Sequence, residues 1–221
     1  MSFERVSRFG LVNAYLVAED DGLTLIDTAV TGSATPILAA AERLGAPIRR
    51  IVLTHAHGDH VGSLDALAAQ LPDAEVLISE REARLLRKDK SLEPEEPQDR
   101  PKGGFPGTET QPTGRFEPGE TIGSLEVLAA PGHTPGHVAL LDLRDETLFC
   151  GDAFSTLGGV ATSAKVNPLF PLPGFATWHK PTALDSARSL RTRQPRALAP
   201  GHGKVVEDPV AAMDAAIAKA S

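Results

Sequence analysis

The sequence predicts a layered α/β fold, and three observations carry that expectation. The first third of the chain alternates strand and helix signals in the order ββαβαβ, the rhythm of sheets covered by helices. Polar side chains of metal-binding type recur where apolar strands give way to tight turns, a usual place for a site in such folds. The chain has 221 residues, 41% of them hydrophobic, enough for a substantial core. No repeat, linker or shift in composition divides it, so residues 1–221 are expected to form one domain.

Leu11 to Ala18 and Leu23 to Asp27 are β-rich and flank a polar "EDDG" turn, which predicts a hairpin. Residues 31–47 predict a helix with Ser33 or Thr35 as N-cap, Pro36 in its first turn and Gly45 at its end. "IRRIVLT" reads as a buried strand, "HVGSLDALAAQLP" as a helix stopped near Pro72, and "AEVLIS" as a further strand. Residues 88–120 break the rhythm. They hold six of the chain's 18 prolines and predict a long irregular loop, either a lid or a mobile excursion. Strands resume at "SLEVLAA", "HVALLDL" and "TLFCG". A second irregular stretch, 153–176, precedes a helix in "TWHKPTALDSARSLRT", a short strand in "RALAP" and a C-terminal helix in "DPVAAMDAAIAKA".

The formal charge is −7 and no long Lys/Arg run offers a stripe for tracking phosphates, which disfavours a nucleic-acid binder. The single cysteine, Cys150, rules out an internal disulfide and is expected to be a small buried hydrophobe. No apolar run reaches membrane-spanning length and no export signal is evident at the start. The expectation is a cytoplasmic protein, monomer or homodimer, whose partner is a small molecule.

The chemistry concentrates in "VLTHAHGDHVG", where His55, His57, Asp59 and His60 fall within six positions at the end of a predicted strand. Gly58 and the preceding β-rich run argue against a continuous helix, and a strand entering a tight loop lets these side chains converge. Neutral imidazoles with a carboxylate suit zinc and other borderline first-row metals. Crowded together without a metal, they would be costly to bury unless paired. His133 in "PGHTPGH", Asp152 in "CGD" and His202 in "PGHG" each follow a strand in the same manner.

In these motifs the chain resembles the metallo-β-lactamase-fold hydrolases: H-x-H-x-D-H stands as "HAHGDH", followed by "PGHTPGH", "GD" and "PGHG", with "LIDT" upstream. The resemblance spans roughly residues 11–210. It implies an αβ/βα four-layer sandwich, two facing mixed sheets with helices outside. It further implies that His55, His57 and His133 hold one divalent metal ion, that Asp59, His60 and His202 hold a second, and that Asp152 bridges them. Zinc is the expected metal, with iron and manganese as alternatives. The implied reaction is hydrolysis by a bridging hydroxide, with Asp59 as proton shuttle. Asp27 and Thr54 are candidate partners behind the ligands. His137 is expected to be structural, and His179 a loop or cap residue.

Six of the ten aromatics fall in irregular stretches. Phe154, Phe170, Phe175 and Trp178, with Phe105 reaching from the first loop, are candidates for an apolar substrate wall. Within the family, the presence of Asp152, the short tail after His202 and the lack of a tyrosine after Asp152 argue against β-lactamases, glyoxalase II-like enzymes and acyl-homoserine lactonases respectively. A stand-alone hydrolase of esters, lactones or thioesters is the expected function. A mononuclear non-haem iron sulfur dioxygenase is the alternative.

Overall fold

The computed structural model describes residues 3–221. Among them, the first sheet has six strands side by side: β1 (Phe3–Arg8), β2 (Val12–Glu19), β3 (Gly22–Ile26), β4 (Ile48–Val52), β5 (Glu75–Ser79) and β6 (Gly114–Phe116). The pairs β1–β2 and β2–β3 are antiparallel, and β3 through β6 pair in parallel. Helix α1 (Ala34–Leu44) connects β3 to β4, and the short helices α2 (Gly58–Val61) and α3 (Leu64–Ala68) connect β4 to β5. Helix α4 (Glu80–Leu86) leaves β5 directly.

The second sheet runs β7 (Thr121–Ile122), β8 (Leu125–Ala129), β9 (Val138–Asp142), β10 (Thr147–Gly151), then β13 (Ala197–Pro200) and β14 (Val206–Glu207). A small hairpin, β11 (Phe154–Ser155) with β12 (Ala161–Thr162), lies in the gap, followed by α5 (Leu172–Ala176) and α6 (Lys180–Thr192). Helix α7 (Val210–Ala220) closes the chain.

Side-chain alternation assigns the layers. Tyr15, Val17, Ile26 and Val52 of the first sheet meet Val127, Leu140, Phe149 and Ala199 of the second in one apolar cluster. The opposite face of the first sheet, with Leu16, Leu25, Ile51 and Ile78, packs on Ile37 of α1, Leu67 of α3 and Ala83 of α4. The outer face of the second sheet, with Leu141, Leu148 and Leu198, packs on Ala187 and Leu190 of α6 and Met213 of α7. The result is the helix–sheet–sheet–helix sandwich that the sequence led one to expect. Cys150 lies in the last cluster, fully buried, and burial pushes its thiol well above the usual range.

Several elements differ from expectation. β1 escaped notice because an edge strand with one buried residue in six carries little apolar alternation. The helix expected over residues 60–72 starts at Gly58 and breaks after Val61, so Asp59 and His60 are helical rather than in a loop. The backbone of Val30 and Thr31 passes so close at this point that a side chain at Gly62 would collide with it. α4 was also missed, although Ser79-x-x-Glu82 is a helix-start signature and the Ser79 hydroxyl does accept the Glu82 N–H. The stretch 88–120 contains β6, and 153–176 contains β11, β12 and α5.

Candidate metal centre

The carboxyl ends of β3, β4, β8, β10 and β13 open onto one place. Loops leaving them carry Asp27, the His55–His60 run, His133, Asp152 and His202. His55, His57, His60, His133, Asp152 and His202 are all buried; Asp59 is half-buried at the mouth. Donor atoms of three trios lie within 4.8 Å of one another: His55–His57–His133, His55–His60–Asp152 and Asp59–His60–His202. Asp152 sits at the middle. Its Oδ2 is 3.3 Å from His133 Nε2 and 3.2 Å from His202 Nε2, and its Oδ1 is 3.3 Å from His60 Nε2. His202 Nε2 is also 3.3 Å from Asp59 Oδ2.

Each imidazole is oriented by a partner on its far side. Thr54 Oγ1 donates its proton to Asp27 Oδ2, so it accepts from His55 Nδ1–H at 3.0 Å. His57 Nε2–H donates to the Lys102 carbonyl at 2.9 Å. His60 Nδ1–H donates to Asp27 Oδ2 at 2.8 Å. Thr177 Oγ1 donates to backbone carbonyls and so accepts from His133 Nδ1–H at 3.1 Å. His202 Nδ1–H donates to the Leu11 carbonyl at 3.0 Å. Asp27, held at φ 58 in the left-handed region, also accepts the Thr54 N–H at 2.8 Å.

With those protons fixed outward, the inner nitrogens of His55, His57 and His133 present lone pairs to the centre. His57 Nδ1 and His133 Nε2 are 3.0 Å apart, and His55 Nε2 is buried without a hydrogen-bond partner. Two lone pairs at that distance repel unless a cation lies between them. Ligand atoms around one zinc ion at about 2.0–2.1 Å would stand roughly 3.3 Å apart in a tetrahedron. The residues therefore fit a metal. Burial holds His55, His57 and His133 below the usual imidazole range, which keeps them neutral. Burial also opposes charge on His60 and His202, but Asp152 outweighs it; His60 is pushed well up and His202 to about 10. Burial likewise opposes ionisation of Asp59 and Asp152, yet the His202 and His60 rings hold both carboxyls well below their usual range.

Two residues weighed as bystanders resolve differently. His137 Nε2 accepts the Asp152 N–H at 3.0 Å and so fixes the central loop. His179 caps α6, its ring accepting the Thr182 N–H, and it belongs to none of the three trios. Sequence reasoning missed Asn13 and Glu82. Asn13 Nδ2 donates to the Pro200 and Gly203 carbonyls at 2.9 and 2.8 Å, and its N–H to the Gly201 carbonyl, gripping the His202 loop from β2. The signal for Asn13 is a polar residue inside an apolar strand, and that for Glu82 is its place three residues after Ser79 at a helix start.

The aromatic candidates divide. Phe105 stacks 4.6 Å from the His57 ring, and Phe170 lies 5.2 Å from the His202 ring. Phe175 is 64% exposed beyond them. Phe154 corrects the expectation: fully buried in the α6–α7 core, it has no free face for a substrate. Trp178 is buried too, and its indole N–H donates to the Asp99 carbonyl at 2.5 Å, so it holds the long loop rather than walling a pocket. That loop is a strap over the centre. Beyond the Trp178 and His57 contacts, the Gly104 carbonyl accepts the Gly58 N–H at 3.0 Å. Gly103 (φ +86) passes so close that a Cβ would stand 2.3 Å from His57 Nε2. A cleft of about 70 Å³ remains, lined by His57, Asp59, Asp152 and His202 together with Leu172, Pro173 and Ala176.

The family model "Metallo-beta-lactamase superfamily" matches residues 7–202. The chain belongs to the metallo-beta-lactamase superfamily. Within relatives of this kind, it is 50% identical over 210 residues to the uncharacterized protein YobT of Bacillus subtilis (strain 168), covering 95% of this chain and 90% of YobT. It is 32% identical over 145 residues to a hydroxyacylglutathione hydrolase of Stenotrophomonas maltophilia (strain R551-3), covering 65% of this chain and 46% of that protein. The chain thus spans about half the length of that enzyme. Among solved structures, TTHA1623 in a di-iron-bound form superposes with a TM-score of 0.65 at 27% identity, covering 91% of this chain and 92% of TTHA1623. Superfamily membership and the trios make this chain a metal-dependent hydrolase by class.

Proposed function

We propose that the protein is a dinuclear metallohydrolase acting on esters, lactones or thioesters. The observation that carries this reading is the set of five outward-anchored imidazoles around Asp152, in which the lone pairs of His57 Nδ1 and His133 Nε2 stand 3.0 Å apart and repel in the absence of a cation. His55, His57 and His133 would hold one ion and Asp59, His60 and His202 the other, with Asp152 between them. The donor set suits zinc, with iron or manganese as alternatives; TTHA1623 is described with two irons. The metal pair supplies Lewis acidity, acidifying water and polarising a carbonyl.

The chain's own residues do the rest. Asp59 stands at the mouth with Oδ2 toward His202, so its other oxygen is free to take a proton from attacking water and return it to the leaving oxygen or sulfur. Leu172, Pro173 and Ala176, lining the same cleft as His57, Asp59, Asp152 and His202, give an acyl chain an apolar seat. Phe105 and the strap over residues 102–105 exclude water from the His57 side. No Lys or Arg side chain lines this cleft among the described residues, which favours uncharged substrates. The hydroxyacylglutathione hydrolase relative supports an acyl thioester as the bond cleaved.

The test joins two measurements. Native mass spectrometry should count two metal ions per chain. Zinc-loaded protein, assayed without oxygen, should turn over members of a panel of lactones, aryl esters and thioesters. Stoichiometry saturating at one ion with full activity would defeat the dinuclear reading. Absence of turnover across the panel would defeat the hydrolase reading.

A further inference from the structure

Glu82 is the third residue of α4 and fully buried, and among the described residues its carboxylate forms no ion pair at salt-bridge distance. In a Ser-x-x-Glu helix start the glutamate ordinarily turns back to the N-cap N–H. Here the Ser79 half of that exchange is kept, and the Glu82 carboxylate is turned away from it. Its Oε2 accepts the Ala56 N–H at 2.8 Å. Its Oε1 accepts the Thr134 hydroxyl at 2.6 Å and the Gly136 N–H at 2.8 Å. Ala56 lies between His55 and His57, and Thr134 follows His133 directly. One carboxylate therefore joins the two loops that carry the three-histidine trio, one loop from each sheet.

Resting on the metal-centre reading above, we propose that Glu82 is a positioning residue that sets the spacing of these two loops and so tunes metal affinity at His55, His57 and His133. The chemistry favours a carboxylate at this place. All three partners are donors, and only an acceptor-only group satisfies them together. A glutamine has one acceptor oxygen and must aim its NH₂ at one of the loops, donor against donor. A leucine or alanine leaves two buried N–H groups without partners, and the loops then relax apart. Because His57 Nδ1 and His133 Nε2 stand only 3.0 Å apart, each on a different loop, small shifts in loop spacing act directly on the ligand geometry.

The experiment compares the unaltered protein with Glu82→Gln, Glu82→Ala, Thr134→Val and a control, Met213→Ala, which opens a cavity where α7 packs on the second sheet and touches none of the Glu82 hydrogen bonds. Zinc affinity is read by competition with a chromophoric chelator, and ligand geometry by the visible absorption of the cobalt(II)-loaded forms. Glu82→Ala should weaken zinc binding at the tighter site tenfold or more and alter the cobalt spectrum. Glu82→Gln should lose less, Thr134→Val least, and Met213→Ala nothing despite a lower melting temperature. Should Glu82→Ala fail to fold, the Gln and Val variants decide. Wild-type zinc affinity and cobalt spectra in those variants would overturn the proposal, as would an equal loss in Met213→Ala. If the unaltered protein binds neither zinc nor cobalt, the metal-centre reading falls, and this proposal with it. Metal binding without turnover would instead defeat only the hydrolase reading.

Discussion

A histidine whose one ring N–H is held by an outer partner can offer only its other nitrogen, and five side chains obey that rule around Asp152. Asp152→Ala should consequently cost more in function than in folding. It removes the one carboxylate that faces His60, His133 and His202 together. Hydrolysis of an aryl ester should drop by more than the about 10–100-fold typical of losing a partner behind a ligand. Near-native turnover would show that Asp152 is not the bridge. His179→Ala supplies the contrast: loss of a cap should cost about 1 kcal/mol by denaturant unfolding, with metal content by elemental analysis unchanged. The convergence of His55, His57, Asp59, His60, His133, Asp152 and His202 was readable in the sequence because His and Asp at strand ends have few other reasons to cluster. The residues behind them were less so. Asp27 and Thr54 stood out by their place beside the cluster, whereas Asn13 and Glu82 are ordinary polar residues until the fold brings distant carbonyls and amides to them.

At the scale of elements, β2 reaches across to the second sheet at its ligand end. The Asn13 amide and the Tyr15 hydroxyl both bond the Pro200 carbonyl, just before His202. Asn13→Ala should remove two side-chain hydrogen bonds to the His202 loop, at about 0.5–1.5 kcal/mol each, and loosen that loop, while Tyr15 and Arg5 keep the Pro200 and Gly203 carbonyls paired. Native mass spectrometry should then show one ion retained and the other lost; retention of both would mean the loop holds its own shape. The strap gives a second prediction. Trp178→Phe keeps the apolar packing but deletes the indole bond to Asp99. KM for bulky acyl esters should change several-fold while kcat for small activated esters holds, as steady-state kinetics would show. Equal changes in both would place the effect in folding. The central strands were legible because both of their faces are buried, which writes apolar runs into the sequence, and the long helices because one apolar face recurs at helical spacing. The short pieces were not. α2, α4, β6, β11 and β12 depend on tertiary contacts at their ends, and local periodicity carries little trace of those.

The whole molecule divides its proposed ligands between two sheets: His55, His57, Asp59 and His60 leave the first, and His133, Asp152 and His202 leave the second. Removing the ions with a chelator should lower the melting temperature by well over 10 °C, since buried imidazoles and carboxylates would lose their common partner. Scanning calorimetry of chelated and zinc-restored protein would measure this, and an unchanged transition would mean that the sheets are held together by their apolar interface alone. The division has one more consequence. His57 and His133 are 76 residues apart, and an ion held by both would close that length of chain as a covalent cross-link does. By the chain-entropy argument a loop of that size is worth about 4–5 kcal/mol against the unfolded ensemble. With a single cysteine, fully buried in the outer core, the chain has no thiol pair to make such a tie. The same ions that would do its chemistry would also serve as its rivets.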